Sequence, residues 1–342
     1  MEALPTLPAR LGREPAAPTS TTSTETHAAF ASLRSHLEER ILGQKLLIER
    51  LLVGLLADGH LLVEGAPGLA KTTAIKTLAA ALEVENHRIQ FTPDLLPADL
   101  TGTEIFQPAT GTFRFEPGPL FHNFVLADEI NRAPAKVQSA LLEGMAERQV
   151  TVGRRSFPLP ELFLVMATQN PIEQEGTYPL PEAQLDRFLL HVRIGYPDAA
   201  SERRVLRLVR DEALGVPRAG FARIPQAVVF AARREVLAVH LAPALEEYLV
   251  QLVIATRDPS PYGDALAGVV RWGASPRGTI ALDRCSRALA WLAGRDYVTP
   301  EDIHAVAPDV LRHRVLLTYE AEADGMSPDA FVHRLLTRVP LP

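Results

Sequence analysis

The sequence is poor in cysteine, aromatic residues and long apolar runs, and it has no excess of basic charge. Its single cysteine, Cys285, excludes an internal disulfide and a cysteine metal site, so we expect a small buried apolar side chain there. No apolar run approaches the roughly 18 residues that a membrane-spanning helix needs. The net charge of -6 is unfavourable for binding to duplex DNA, which normally requires a strongly basic surface.

What is present is the composition of a globular protein. The 342 residues are 47% apolar and 22% charged, enough for one large domain and a smaller one. Residues 1–30 are rich in Pro, Ala, Ser and Thr and lack the apolar stretch of an export signal. We therefore predict a flexible N-terminal tail and a cytoplasmic protein.

Residues 31–197 alternate between helical and strand patterns. Apolar spacing predicts two helices between Leu33 and Leu56, interrupted at Gly43, and a further helix over Lys71 to Glu83. Short apolar runs predict five strands, namely His60 to Glu64, Arg88 to Phe91, Phe124 to Ala127, Phe163 to Thr168 and Phe188 to Val192. This alternation predicts an α/β domain with a parallel five-stranded sheet between layers of helices.

Two segments interrupt that pattern, at about residues 92–120 and 149–159. The first contains an alternating run after a turn, Gly111 to Phe115, and the second has the pattern of a hairpin around Gly153. From residue 198 to residue 342 strand signals fade, and helices are predicted over Ser201 to Arg210, Ala227 to Val236, Ala242 to Arg257 and Arg277 to Ala293. We interpret 198–342 as a smaller, all-helical lid domain.

The strongest motif lies between the first predicted strand and the helix that follows. It is a phosphate-binding loop made of Gly65, Ala66, Pro67, Gly68, Leu69, Ala70, Lys71 and Thr72, followed by Thr73. Glycines let successive N–H groups turn inward, and the helix start adds its positive dipole end. Lys71 is expected to contact the β- and γ-phosphates, and the Thr72 hydroxyl to bind Mg²⁺. Ala70 replaces the usual glycine, which we treat as compatible with a helical backbone.

Two further strand ends carry polar side chains. Asp128 and Glu129 follow the apolar run from Phe124, and because neighbouring strand residues face opposite sides we expect different roles for them. Asp128 would hold Mg²⁺ through the coordination shell of the ion, and Glu129 would activate the attacking water as general base. Asn170, after the next buried strand, would orient that water. All three would lie at the carboxyl edge of the sheet, where open α/β folds bind ligands.

Together these segments resemble the AAA+ ATPases, and the run from Phe124 to Phe188 closely resembles the MoxR family. The motifs that carry the resemblance are Ala127 to Ala133, Ala167 to Pro171, Glu175 to Ala183 and Gln184 to Phe188. The resemblance implies an ATP hydrolase that uses ATP and Mg²⁺. It also implies that residues 92–120 and 149–159 are family insertions, and that Gly43 and Gln44 belong to a stretch near the adenine.

The resemblance gives two arginines a role. Arg187 falls where MoxR-like proteins and their magnesium-chelatase relatives place the arginine finger, which enters the neighbouring subunit's pocket. Arg277 resembles the second sensor arginine of the lid, and whether it acts on its own nucleotide or the neighbour's stays open. A finger delivered in trans implies a homo-oligomeric ring, which we expect to be a hexamer.

As a MoxR-type enzyme, the protein would remodel or mature protein clients in a chaperone-like manner, with a von Willebrand factor A domain protein as partner. One alternative is a nucleic-acid motor or loader, since Arg154 and Arg155 mark a basic hairpin tip, although few aromatics and a negative net charge disfavour it. Another is a nucleotide-gated scaffold with little turnover. No Asn-Lys dipeptide, the usual start of a guanine-specificity motif, occurs in the sequence, which disfavours a GTPase.

Overall fold

The described part of the chain, residues 23–171, 176–217 and 220–341 of a computed structural model, alternates helices and strands before a mainly helical half. Its strands are β1 (Leu61–Glu64), β2 (Asn86–Gln90), β3 (Gly102–Gln107), β4 (Thr112–Pro117), β5 (Phe124–Asp128), β6 (Gln149–Val152), β7 (Arg155–Pro158), β8 (Leu164–Gln169), β9 (Leu190–Arg193), β10 (Val270–Trp272) and β11 (Leu316–Leu317). Its α-helices are α1 (Ser23–Arg40), α2 (Lys45–Leu56), α3 (Lys71–Ala81), α4 (Pro97–Thr101), α5 (Ala135–Glu147), α6 (Glu182–Leu185), α7 (Ala199–Ala213), α8 (Gln226–Ala238), α9 (Pro243–Arg257), α10 (Pro276–Leu292), α11 (Pro300–Leu311), α12 (Tyr319–Ala323) and α13 (Pro328–Arg338).

The central sheet confirms the predicted α/β fold. Its five strands are parallel and lie in the order β2-β5-β8-β1-β9. Alternate strand residues enter two separate apolar cores: Leu61 and Val63 pack on one face, whereas Leu62 packs on the other with Val125 and Val165. A strand buried on both faces reads as a continuous apolar run, which is why the sequence located these strands. All five strands therefore end in one row of carboxyl termini.

Both insertions form hairpins; a hairpin was predicted for the second insertion, and only a strand after a turn for the first. Strands β3 and β4 pair antiparallel, and so do β6 and β7. At the base of the first hairpin, Gly102 has a φ of +85°, and a Cβ there would lie 2.2 Å from the Glu116 carbonyl oxygen, so only glycine fits. The rings of Phe115 and Phe157 stack with centroids 3.9 Å apart, which joins the two hairpins into one surface.

The C-terminal half contains the four predicted helices, which are α7, α8, α9 and α10. It also contains elements that the sequence analysis missed: α11, α12, α13 and the two-stranded sheet of β10 and β11. The predicted all-helical lid therefore needs the small sheet added. Cys285 on α10 is fully buried, as expected, and burial raises the pKa of its thiol to about 12. No described helix has the length and apolarity required to cross a bilayer.

The prediction of a flexible tail through residue 30 was wrong over its last part. Helix α1 already begins at Ser23, and Phe30 is buried with its ring edge on Trp291 of α10. The Thr26 hydroxyl is also buried and donates to the Glu235 carboxylate at 2.7 Å. These contacts lie more than 200 residues away in the sequence, so local composition could not reveal them. Residues 1–22 of the predicted tail lie outside the described residues.

Candidate active site

The phosphate loop occupies the predicted turn between β1 and α3. Gly65 lies so close to β9 that a Cβ would come within 2.5 Å of Ile194 Cγ1, and Gly68 has a φ of +82°. The Lys71 ammonium donates a hydrogen bond to the Gly65 carbonyl at 2.7 Å, across the loop. The lysine is therefore folded over the concave side of the loop, next to the start of α3 where an anion is favoured.

Ala70 corrects one detail of the sequence interpretation. Its backbone is helical but left-handed, with φ 58° and ψ 18°, immediately before α3. This conformation costs an L-residue about 1–2 kcal/mol, which explains why glycine is the common residue at this point of such loops. The alanine is tolerated here with local strain.

A groove of about 380 Å³ runs along the loop and across the carboxyl edge of the sheet. It is lined by Pro67, Gly68, Leu69, Ala70, Lys71, Thr72, Thr73, Arg88, Asp128, Glu129 and Asn170. The structure thus brings the phosphate loop, both predicted carboxylates and the predicted water-orienting amide to one place. Gly65 and Ala66, the first two residues of the loop, are buried and do not line the groove.

One buried hydroxyl, Thr168 at the end of β8, organises both carboxylate positions. Its Oγ1 donates to Asp128 Oδ1 at 2.6 Å and accepts from the backbone N–H of Glu129 at 2.9 Å. Glu129 itself is left-handed, with φ 58° and ψ 50°. A non-glycine residue in this conformation persists only where its surroundings fix it, and such strain clusters at functional sites. The sequence alone predicts for Thr168 only the position of a buried strand residue.

One oxygen of each carboxylate, Asp128 Oδ2 and Glu129 Oε2, contacts side chains that the sequence did not identify as site residues. Arg88 on β2 donates to Asp128 Oδ2 from Nε at 3.0 Å and from a terminal nitrogen at 2.7 Å. Gln90 donates to Glu129 Oε2 at 2.9 Å, and Arg132 Nε lies 2.9 Å from the same oxygen. Both partners on β2 alternate with buried Ile89, so the strand pattern indicated their shared face but not their target.

Thr72 and Asp128 fit a magnesium ion that arrives with a nucleotide. Among the described residues no three His, Cys, Asp or Glu side chains form a metal cage. Mg²⁺ bound to nucleotides needs no such cage, since it takes one or two protein oxygens together with phosphate oxygens and water. One hydroxyl and one carboxylate in the same groove as the phosphate loop are a donor set of that kind.

A second, larger groove of about 670 Å³ adjoins the loop on the side of α7. Gln44 lines it, beside Pro67 to Ala70, Tyr196 and the apolar face of α7. The amide of Gln44 is buried and donates to the Gly195 carbonyl at 3.0 Å, so its role is to join this wall to the end of β9. Gly43 does not line the groove; its φ is +76°, and a Cβ there would lie 2.6 Å from Pro197.

The two predicted arginines lie together, away from these grooves. Arg187 and Arg277 both line a groove of about 290 Å³ that also includes Gly59 and His60, immediately before β1. The phosphate loop follows the other end of β1, and the extended chain from Gly59 to Gly65 spans about 20 Å. Arg187 is partly buried and donates to the Leu142 carbonyl at 2.6 Å. The described contacts bring neither arginine to the phosphate loop of its own chain.

Together, the parallel sheet, the phosphate loop with its strand-end carboxylates and the helical lid define a P-loop ATPase of the AAA class. In agreement, residues 60–190 match the model of the ATPase family associated with various cellular activities, and residues 266–335 match the AAA lid domain. The chain is 50% identical over 304 residues to Chaperone MoxR1 of Mycobacterium tuberculosis, covering 88% of this chain and 79% of that protein.

Two further relatives cover nearly the whole chain. Protein MoxR of Paracoccus denitrificans is 35% identical, with 92% of this chain and 97% of that protein aligned. A crystal structure of a candidate ATPase from Cytophaga hutchinsonii superposes with a TM-score of 0.85 at 46% identity, over 94% of this chain and 97% of that one. The chain belongs to the MoxR family of AAA+ ATPases.

Proposed function

We propose that the protein hydrolyses ATP with Mg²⁺ at the interfaces of a homo-oligomeric ring. The observation that carries the proposal is the single groove holding Lys71, Thr72, Asp128, Glu129 and Asn170. Thr72 and Asp128 would hold Mg²⁺, and the bound ion would offset the negative charge of the phosphates. Glu129 would take the proton of the attacking water, and Asn170 would fix the orientation of that water.

The position of Arg187 and Arg277 supports catalysis in trans. Both line a groove beside Gly59 and His60, before β1, whereas the phosphate loop follows the far end of the same strand. In a head-to-tail ring, one face of each subunit meets the opposite face of the next, so these arginines would meet a neighbouring nucleotide. Arginines supplied in this way contribute on the order of 10³ to 10⁵ in rate. We therefore assign Arg277, as well as Arg187, to the neighbour's site.

The groove beside α7 supports a nucleotide with a base rather than a free polyphosphate. No described residue of α7 is buried, although the helix presents Val205, Leu206 and Val209 to the groove. A flat aromatic base would cover this apolar face and place its phosphates on the adjoining loop. Gln44 would help to close the far wall.

The biological work we propose is chaperone-like remodelling or maturation of protein clients in the cytoplasm. It rests on the membership in the MoxR family and on the relative named Chaperone MoxR1. The joined hairpins β3–β4 and β6–β7 offer a surface that subunit rotation would move, with Phe106 and Phe113 exposed on it. The resemblance further suggests a von Willebrand factor A domain protein as partner and a hexamer as the assembled form.

Phosphate release measured over a range of protein concentrations tests the proposal. We expect the activity per subunit to rise with concentration and then level off as the ring assembles, and Lys71→Ala to abolish it. Activity per subunit that does not change with concentration, in a preparation that is monomeric by light scattering, would contradict the ring. For the client, the Glu129→Gln protein in ATP should capture proteins that Lys71→Ala does not.

A further inference from the structure

Asp186, directly before Arg187, connects the two arginines through its carboxylate. Oδ1 accepts a hydrogen bond from Arg314 Nε at 2.9 Å, and Oδ2 accepts one from the Ser275 hydroxyl at 2.9 Å. An Arg277 terminal nitrogen lies 3.6 Å from Oδ2. The carboxylate is thus shared by three groups of the C-terminal half, each more than 85 residues away in the sequence.

Arg314 is the fixed member of this set. Its side chain is only 2% exposed, and besides Asp186 Oδ1 it donates to the Asp186 and Phe188 carbonyls at 3.3 and 2.6 Å. It therefore holds the backbone on both sides of Arg187. A buried guanidinium without a counter-charge is strongly unfavourable, so the Asp186 carboxylate is what permits Arg314 to stay there.

Arg277 is the loosely held member. Its side chain is 55% exposed, and its 3.6 Å separation from Asp186 is longer than a hydrogen bond. Ser275, by contrast, caps the start of α10, where its oxygen accepts from the Arg277 N–H at 3.1 Å while its hydroxyl donates to Asp186. The backbone at Arg277 is therefore fixed through Ser275, and its guanidinium keeps freedom to move.

We propose that Asp186 is a positioning residue that sets the backbones of Arg187 and Arg277 at a fixed separation, so that both side chains act together on the neighbouring subunit's phosphates. This inference rests on the proposed function. Asp186 fixes the turn of Arg187 through Arg314 and the start of α10 through Ser275. It also balances the charge of Arg277 until a phosphate does so. Asp186 acts through these arginines and lines neither of the two grooves at the phosphate loop of its own subunit.

The test compares steady-state ATP hydrolysis of Asp186→Asn with that of Asp329→Asn. Asp329 is the matched control because it also joins the two halves of the chain, with Arg193 of β9 at 2.7 Å and Arg312 at 2.7 Å, but lies outside the arginine groove. We expect Asp186→Asn to lower kcat on the order of 10- to 100-fold, the cost of misplacing catalytic groups by about 1 Å. Nucleotide affinity should be unchanged, and Asp329→Asn should keep kcat within about twofold.

A double-mutant cycle separates positioning from general loosening. In the Arg277→Ala background, Asp186→Asn should lower kcat far less than it does alone, because one of the groups it positions is already absent. Full additivity of the two effects, or an equal loss in Asp329→Asn, would overturn the proposal.

The same experiments distinguish this inference from the proposed function. If Arg187→Ala hydrolyses ATP at the wild-type rate, the proposed function fails and this inference with it. If Arg187→Ala is inactive while Asp186→Asn is fully active, only this inference fails. Should Asp186→Asn not fold, Ser275→Ala removes one hydrogen bond to the carboxylate, with the N-cap variant Ser327→Ala as control. A lower kcat in Ser275→Ala alone supports the proposal, and equal values overturn it.

Discussion

Lys71 and Arg187 lie at opposite ends of the strands of one parallel sheet. Lys71 follows the carboxyl end of β1 through the phosphate loop, whereas Arg187 shares a groove with His60, the residue before β1. A fold of this kind can bind a triphosphate at the carboxyl ends of its strands and supply a guanidinium from their amino ends. Under the proposed function such a subunit would be complete only beside a second copy, and this separation is the basis of the predictions that concern catalysis.

Replacing the proposed base, Glu129→Gln, should retain ATP and abolish most turnover. Glutamine keeps the shape and can still accept from Gln90, whose amide lies 2.9 Å from Glu129 Oε2, but it cannot take a proton from water. We expect a fall of 10²-fold or more in kcat, on the order of what a general base contributes, with nucleotide affinity within a few-fold of wild type. Phosphate release and equilibrium binding of a fluorescent ATP analogue measure the two quantities, and near-normal turnover would assign the base elsewhere.

The hydroxyl of Thr168 should be needed for both stability and turnover. Thr168→Val leaves the Glu129 N–H and Asp128 Oδ1 without their shared partner, which costs about 1–3 kcal/mol of stability. Because both carboxylates lose their orientation, turnover should fall roughly 10- to 100-fold. Denaturant unfolding and phosphate release check these effects. Thr168→Ser keeps the hydroxyl and is expected to restore most of the activity; equal activity in the Val and Ser variants would exclude the role.

Strain at Ala70 predicts a stabilising substitution inside the phosphate loop. A left-handed alanine costs about 1–2 kcal/mol and glycine's extra chain entropy about 0.5–1 kcal/mol, so Ala70→Gly should be neutral or up to about 1.5 kcal/mol more stable. The control is Ala66→Gly in the same loop, where φ is not positive and a loss of stability is expected. Chemical denaturation compares the two, and a clear destabilisation by Ala70→Gly would contradict the strain.

His60 predicts a pH dependence of stability. It is buried and neutral: Nδ1 accepts from the Val165 N–H at 3.0 Å, and Nε2 lies 3.3 Å from the Met145 carbonyl, to which it donates. Burial lowers the pKa of His60 from 6.5 to about 4. Between these values the unfolded chain binds a proton that the folded chain does not, so stability falls as the pH drops from 6.5 towards 4.

The pH-dependent part of the unfolding free energy that His60 causes is on the order of 3 kcal/mol. It is present in full above pH 6.5 and lost below about 4. His60→Gln keeps one donor and one acceptor but does not titrate. The variant should therefore show a shallower loss of unfolding free energy over this range, measured by urea denaturation at several pH values. Parallel curves for the two proteins would show that His60 is not the titrating group.

The sequence predicted the sheet and the phosphate groove because their determinants are local. Buried parallel strands such as β5 and β8 are continuous apolar runs, and the glycines around Lys71 form a loop wherever a strand precedes and a helix follows. The predicted residues at the ends of those strands, Asp128 and Asn170, come together because parallel strands end along the same edge.

What the sequence could not reveal depends on partners distant in the chain. Thr168 reads as one more buried strand residue until its hydroxyl is seen between Asp128 and Glu129, about 40 positions earlier. Asp186 belongs to a motif, yet its partner Arg314 is 128 residues away. The start of α1 was misplaced for the same reason, since Phe30 is fixed by Trp291. Helices α11 and α13, which follow α10, were not predicted from the sequence.

Mixing two inactive proteins tests the central claim most directly. Glu129→Gln lacks the base but keeps Arg187, whereas Arg187→Ala keeps the complete phosphate groove. If the arginine acts in trans, mixed rings contain interfaces with an intact groove facing an intact arginine. About one interface in four is of this kind in an equal mixture, so phosphate release should recover to roughly that fraction of wild type. Two inactive proteins that remain inactive in rings shown to exchange subunits, or an Arg187→Ala protein that is active alone, would contradict the account.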